Sequence, residues 1–389
     1  MKIIQELHGG GSSAGNFLVE DGQGRVVVMK FANWSGIGSN GIPWLKSQFD
    51  RLKELKGSLD YTDKKLVPEV YEYVEDENSA YYTLQYYDKG VPLSTYHLHN
   101  LDKNEEDFLN DLYDLLSLLS EKFYSQEKLS VPDGYLERVH KERLNYRLGL
   151  LYKKEGEVYE KLIKNRSIKI TGKNYELESL FSRMWALEKI VINGKEYQNT
   201  RILWDKFNNM DLLNQVKPAF LPRLAHGDAL LRNFMKLPNE ELIIFDVRGV
   251  NLPDNSPARI DIPYELGKLL HGILLEVIRN DLFSLEMEEE TMNFHLNYDA
   301  VHKGVAKFIQ VREKMPDLFK NHPSINKVLK NEENWFGKAI FAEATHFLAD
   351  AINRLENDPT GRHTMAYYLI GTILLNEYMQ NYSQRKQGV

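Results

Sequence analysis

His226-Gly227-Asp228-Ala229-Leu230-Leu231-Arg232-Asn233, followed by the apolar run Leu242-Ile243-Ile244-Phe245 and then Asp246, is the stretch whose reading decides the fold. A carboxylate, an amide shortly after it and a second carboxylate at the end of a short strand form a set suited to phosphoryl transfer. Asp228 can orient or deprotonate a hydroxyl, while Asn233 and Asp246 offer oxygen ligands to Mg²⁺, a hard cation that carries phosphates. Asp and Asn also cap helices and close turns in ordinary proteins, so the triplet by itself does not decide the matter.

The N-terminal end adds to it. Gly9, Gly10, Gly11, Ser12, Ser13, Ala14 and Gly15 lie between residues 3–7 and 16–20, which reads as the turn of a hairpin between two short strands. Such a loop can lay backbone N–H groups over phosphates; it can equally be a flexible surface turn. A second turn, Asp21-Gly22-Gln23-Gly24, leads into the β-branched run Arg25-Val-Val-Val-Met-Lys30, in which Lys30 is the one charge after Arg25. Glycine loop, strand lysine, helix, strands and then Asp, Asn and Asp far downstream is the order of the kinase signature set. A Walker-type site would need its lysine directly after the glycines.

On these residues the chain resembles the aminoglycoside phosphotransferase and choline kinase group, the small-molecule relatives of protein kinases. The resemblance covers most of the chain. It is carried by His226-Gly-Asp228-Ala-Leu-Leu-Arg-Asn233, by Ile244-Phe245-Asp246 and by Arg259-Ile-Asp261-Ile-Pro-Tyr264-Glu265-Leu-Gly-Lys268, which looks like the family segment that opens a helix beneath the catalytic loop. The resemblance implies an α+β, bilobal fold: a small antiparallel β lobe with one main helix over residues 1–90, ending in the hinge, and a mainly helical lobe over 91–389. It implies ATP covered by residues 9–15, with Lys30 on the α- and β-phosphates and adenine held by hinge backbone at Gln85, Tyr86 and Tyr87. It also implies Asp228 as catalytic base, Asn233 and Asp246 on Mg²⁺, and His226 as a brace for the loop. The acceptor would be the hydroxyl of a small molecule, a sugar, aminocyclitol or aminoglycoside ahead of choline, ethanolamine or a homoserine-like compound. A nucleotide-binding pseudokinase is the alternative from another class.

One residue departs from the family pattern. The family pairs the strand lysine with a glutamate on the following helix, and the best-aligned position here is Gln48. Trp44, Leu45, Phe49, Leu52 and Leu55 have the spacing of an amphipathic helix. Glutamine can accept a hydrogen bond from Lys30 without neutralising it; Asp50 and Glu54, the other nearby acids, fall on other faces. Arg248, just after Asp246, has two open readings, a phosphate contact or an ion pair that fixes the metal loop.

Composition sets the outer bounds. With 389 residues and 42% hydrophobic content there is material for two units with cores of their own. A formal charge of −7 disfavours nucleic acid as a partner, because phosphate backbones call for basic surfaces. There is no cysteine, hence no disulfide framework and no catalytic thiol, which permits a cytoplasmic location that ATP dependence favours. The first residues lack the apolar run of a signal peptide. The most apolar stretch, residues 365–375, falls short of the roughly 20 residues a membrane span needs and reads as a buried terminal helix.

Between these landmarks, residues 68–74 and 80–87 read as a strand pair, and the spacing of Phe108, Leu109, Leu112, Leu115, Leu116, Leu119 and Phe123 predicts a helix. The rest is expected to stay largely helical. Lys153-Lys-Glu-Gly-Glu157 reads as a solvated face or loop, and the acidic run at Glu288, Glu289 and Glu290 as the end of a surface helix.

Overall fold

Short runs of β-branched and aromatic residues separated by turn residues build the first sheet. In the computed structural model, which describes residues 1–7, 15–33, 41–152, 159–160, 163–209, 212–249, 259–353, 355, 358 and 360–383, β1 (Lys2–Glu6) pairs antiparallel with β2 (Gly15–Glu20), and β2 with β3 (Val26–Asn33). After α1 (Ile42–Ser58), β4 (Val70–Glu75) and β5 (Ser79–Gln85) complete a five-stranded antiparallel sheet in the order β1-β2-β3-β5-β4. The expected hairpin around residues 9–15 is therefore present in its two strands. Gly9, Gly10, Gly11, Ser12 and Ser13 themselves lie outside the described residues, as does Lys153-Lys-Glu-Gly-Glu157.

α1 starts after Gly41 with Pro43 in its first turn, where the missing N–H costs nothing. Its buried stripe is Ile42, Leu45, Leu52 and Leu55, packed on β3, β4 and β5. Gln48 and Arg51 are buried in the same stripe. Two polar side chains there need partners, since an unpaired buried polar group costs about 1–3 kcal/mol.

The chain divides into two compact units. The first comprises Met1–Tyr96, Leu118–Lys128 and Pro222–Ile260, and the second His97–Ser117, Leu129–Leu221 and Asp261–Val389. The first thus contains the sheet, α1 and the whole stretch from His226 to Asp246. That stretch sits on a small antiparallel sheet in which Phe234–Lys236 pairs with Leu242–Ile244 on one side and with β6 (Val91–Pro92) on the other.

Among the described residues the second unit has four long helices, Ile262–Arg279, Lys303–Asn321, Trp335–Asn353 and Arg362–Asn381. Trp335–Asn353 packs on the first and the last of them. Small residues permit the close approach: a methyl group on Gly267 would lie 2.6 Å from the Ala339 carbonyl oxygen, and one on Gly371 would lie 2.6 Å from Leu348 Cγ. The apolar stretch 365–375 falls in the last of these helices and is buried, as expected. No helix among the described residues is long and apolar enough to cross a membrane.

The remainder is largely helical, as expected, but among the described residues it also carries three hairpins that the sequence reading did not foresee. Ser167–Ile170 with Lys173–Glu176, Lys189–Ile192 with Lys195–Gln198, and Phe283–Glu288 with Asn293–Tyr298 are antiparallel hairpins. The last two join through a parallel pairing of 191–192 with 293–294 into a four-stranded sheet. The acidic residues 288–290 accordingly belong to a strand end and turn rather than a helix. The physical reason is period: Phe283–Glu288 alternates buried and exposed side chains along its whole length. Asn193 and Gly194, at φ 51° and 74°, occupy a two-residue turn whose twist suits a hairpin.

Ile262–Arg279 begins at a side-chain cap. Asp261 Oδ1 accepts from the Tyr264 N–H at 2.7 Å, and Asp261 Oδ2 from the Tyr135 hydroxyl at 2.6 Å. Burial pushes the Asp261 carboxyl up to about 6. Asp261→Ala should lower the unfolding free energy by about 1–2 kcal/mol through the lost cap, whereas Asp261→Asn, whose amide oxygen can still accept, should lose less. Urea unfolding midpoints would check this, and equal midpoints for Ala and wild type would rule the cap out as a stabilising element.

Candidate active site

The register of the first sheet sets the site's first member. Lys30 lies opposite Tyr82 on β5 and opposite Asn16 on β2, and its side chain is only 13% exposed. A lysine so placed needs an anion, and Asp246 supplies it: Lys30 Nζ is 2.5 Å from Asp246 Oδ1. Burial works to lower the lysine's pKa, but the Asp246 carboxylate outweighs it and holds Lys30 above its ordinary value. Tyr82 is pushed up to about 12, chiefly by burial, so it stays a neutral phenol at physiological pH.

Gln48 reaches the same carboxylate from α1. Its Nε2 donates to Asp246 Oδ1 at 2.7 Å and to the Val247 carbonyl at 3.1 Å, while its Oε1 accepts from the Tyr82 hydroxyl at 3.4 Å. The expected acceptor role toward Lys30 is thus replaced by a donor role toward Asp246. Asp50 is exposed and pairs with Lys46 at 2.7 Å. Glu54 splits its oxygens, with Oε2 accepting from Arg51 at 2.6 Å and Oε1 from Arg259 at 3.3 Å. Neither acid is a partner of Lys30.

Local hydrogen bonds build the loop that carries Asp228 and Asn233. Asn233 Nδ2 donates to the Asp228 carbonyl at 2.8 Å and to Asp228 Oδ2 at 3.2 Å. His226 is fully buried and works as a brace: its Nδ1 accepts from the Asp228 N–H at 3.2 Å, which leaves Nε2 to donate to the Phe245 carbonyl at 3.0 Å. Burial depresses the pKa of this imidazole despite the nearby Asp228 and Asp246 carboxylates; a neutral ring with its proton on Nε2 fits both bonds. Two main-chain bonds finish the lacing, from the Phe245 N–H to the Asn233 carbonyl at 3.1 Å and from the Arg248 N–H to the His226 carbonyl at 2.9 Å.

The lacing requires close backbone approach. Gly227 has φ +80°, and a Cβ there would lie 2.7 Å from Arg248 Cβ. Asp246 itself has φ +55°, a left-handed conformation that side chains other than Gly, Asn and Asp adopt rarely and that recurs where a site imposes it. Arg248 is placed by its main chain and by this contact with Gly227.

The other expected residues that are described belong to the first unit. Gly15 opens β2 opposite Phe31. Gln85 ends β5, with its N–H donating to the Glu69 carbonyl at 2.8 Å and its side-chain oxygen accepting from the Tyr87 hydroxyl at 3.2 Å. Tyr86 and Tyr87 begin the connection to β6, which is fastened beside Met235 and Lys236. Sequence reasoning missed Arg51, whose Nη2 donates to the Ala225 carbonyl at 2.9 Å, and Arg259, whose Nη1 donates to the Arg223 carbonyl at 2.8 Å. A polar residue within an apolar helical stripe was the available signal for Arg51.

Asp246 and Asn233 suit a hard cation, because both offer oxygen and the Asn233 nitrogen is already spent on Asp228. Among the described residues no group of three or more His, Asp and Glu could hold a metal by itself. A cation here would draw its other oxygens from phosphate and water, as Mg²⁺ does.

No family model matches the chain, and no curated protein matches it significantly. Among solved structures it is similar to a glucosamine kinase at 10% identity, over 97% of this chain and 93% of that one, with a TM-score of 0.46. It is also similar to a protein assigned as a fructosamine-3-kinase from Haemophilus somnus 129PT, at 12% identity over 96% and 90% of the two chains, TM-score 0.42. A third is a type VIII aminoglycoside-3'-phosphotransferase, at 16% identity over 81% and 86%, TM-score 0.34.

Gly227→Ala should destabilise the protein by about 1–2 kcal/mol, the cost of a side chain at positive φ, and disturb the bond between Arg248 and His226. Equilibrium unfolding measures the first, and an unchanged midpoint would show that the loop accommodates a methyl group.

Proposed function

We propose that the protein is an ATP-dependent phosphotransferase that moves the γ-phosphoryl group to a hydroxyl of a small molecule. One observation carries the reading: Lys30 and Asp246, far apart in sequence, meet at 2.5 Å in the same compact unit as the hydrogen-bonded pair Asp228 and Asn233. A buried strand lysine, a carboxylate in a left-handed turn and a second carboxylate braced by an amide are the parts that phosphoryl transfer needs.

In this reading Lys30 binds the α- and β-phosphates, residues 9–15 cover them, and the backbone at Gln85, Tyr86 and Tyr87 holds the base at the end of a nucleotide lobe spanning residues 1–90. Asn233 and Asp246 would hold Mg²⁺, which when bound neutralises phosphate charge. Asp228 accepts the hydroxyl proton of the acceptor and aligns its oxygen in line with the transferred phosphorus, giving up that proton after the phosphoryl group has moved. Asn233 keeps the Asp228 carboxylate aimed, through the 3.2 Å bond from its Nδ2. Catalysis then comes from positioning and charge placement more than from covalent chemistry.

For the acceptor we propose a sugar, aminocyclitol or aminoglycoside hydroxyl. The formal charge of −7 favours a neutral or cationic acceptor over an anionic polymer. Gly227 stands where protein kinases carry the arginine that reads activation-loop phosphate, which favours a small molecule over a protein. Arg248 is a candidate for contact with the transferred phosphate, and turnover left intact in Arg248→Lys would count against that role.

The decisive experiment is an ATP-consumption screen with Mg²⁺ across aminoglycosides, amino sugars, hexoses, choline and peptides, with Asp228→Asn as the blank. Asp228→Asn should lose on the order of 10²–10⁴ in turnover while still binding nucleotide. Unchanged turnover would remove Asp228 from the role of base. Nucleotide binding with no turnover on any acceptor would favour a binding module of the same fold.

A further inference from the structure

We infer that Gln48 is a positioning residue for Asp246, and that Gln48 and Lys30 together make cation binding at Asp246 conditional on nucleotide. The inference rests on the phosphotransferase reading and concerns how its metal ligand is held. Two donors converge on one oxygen, Lys30 Nζ at 2.5 Å and Gln48 Nε2 at 2.7 Å from Asp246 Oδ1. Gln48 also donates to the Val247 carbonyl at 3.1 Å. One amide nitrogen therefore ties both the side chain and the following main chain of a residue held at φ +55°.

The amide cannot be turned round. Its oxygen accepts from the Tyr82 hydroxyl at 3.4 Å, and a flipped group would set that oxygen against the Asp246 carboxylate and the Val247 carbonyl. A glutamate at position 48 could make neither donation. A carboxylate there would also offer Lys30 a counter-ion on α1, leaving Asp246 open to a cation. With glutamine, the charge of Lys30 is balanced by Asp246, the very group that a divalent cation would need. Lys30 and the cation then compete for the charge of one carboxylate until a phosphate takes over the lysine. Nucleotide and cation must accordingly strengthen each other's binding, since linkage is reciprocal.

The test uses the full chain, with Mg²⁺ alone, ADP alone and both together, read by calorimetry and thermal shift. Wild type should show little response to Mg²⁺ alone and a response to the pair that exceeds the sum of the parts. Gln48→Glu, which moves Lys30's counter-ion to α1, should bind Mg²⁺ alone about tenfold more tightly and show a correspondingly smaller coupling, a change within the usual range for linked sites. Lys30→Met, which removes the competitor and leaves Gln48 in place, should also gain affinity for Mg²⁺ alone and serves if Gln48→Glu does not fold. Variants that bind ADP yet match wild type in Mg²⁺ affinity and coupling would overturn the inference while leaving the phosphotransferase reading intact. Wild type that binds no ADP with or without Mg²⁺ would instead sink that reading.

Discussion

The ion pair between Lys30 and Asp246 is the constraint on which the first unit depends. A lysine with so little solvent access would be costly without an anion, and the anion comes from a segment far away in sequence. That segment can supply it only if its turn is held in the left-handed region, and Gln48 and the His226 lacing hold it there. Sheet, helix and loop thus meet at one carboxylate. The three parts are tied by charge and hydrogen bonds as well as by apolar contact.

Much of this arrangement was readable from residues. The strands around Lys30, the helix carrying Gln48 and the terminal helix of the second unit follow from periodicity, because each buries one face or is buried throughout. The brace role of His226 came from the family resemblance, and the ring's two bonds, to the Asp228 N–H and the Phe245 carbonyl, are what the fold adds. The direction of the Gln48 bond was not readable: an amide donates or accepts according to neighbours that only the fold brings near, here Tyr82 on one side and Asp246 on the other. The hairpins of the second unit were missed for another reason. Their strands are four to six residues long, shorter than the window over which a helical period shows, and the Asn193-Gly194 turn carried the information that the surrounding pattern lacked.

The left-handed Asp246 and Gly227 illustrate two solutions to one steric problem. At Gly227 the chain drops its side chain, because Arg248 Cβ occupies the space. At Asp246 it keeps a side chain in the same region of backbone space, because the carboxylate is needed and its hydrogen bonds offset the strain. The two residues face each other's segments through the Arg248 to His226 bond, so relaxation of one would be felt by the other.

Glu54 has a consequence of a different kind. Its two oxygens are shared between Arg51 and Arg259, and those guanidinium groups also hold the Ala225 and Arg223 carbonyls. The far half of α1 is therefore riveted to the chain just ahead of His226. An outward swing of this helix, the motion that a switch built on it would need, would have to break these bonds together. On the phosphotransferase reading, nucleotide binding would then change the partner of Lys30 and leave the far half of α1 where it is.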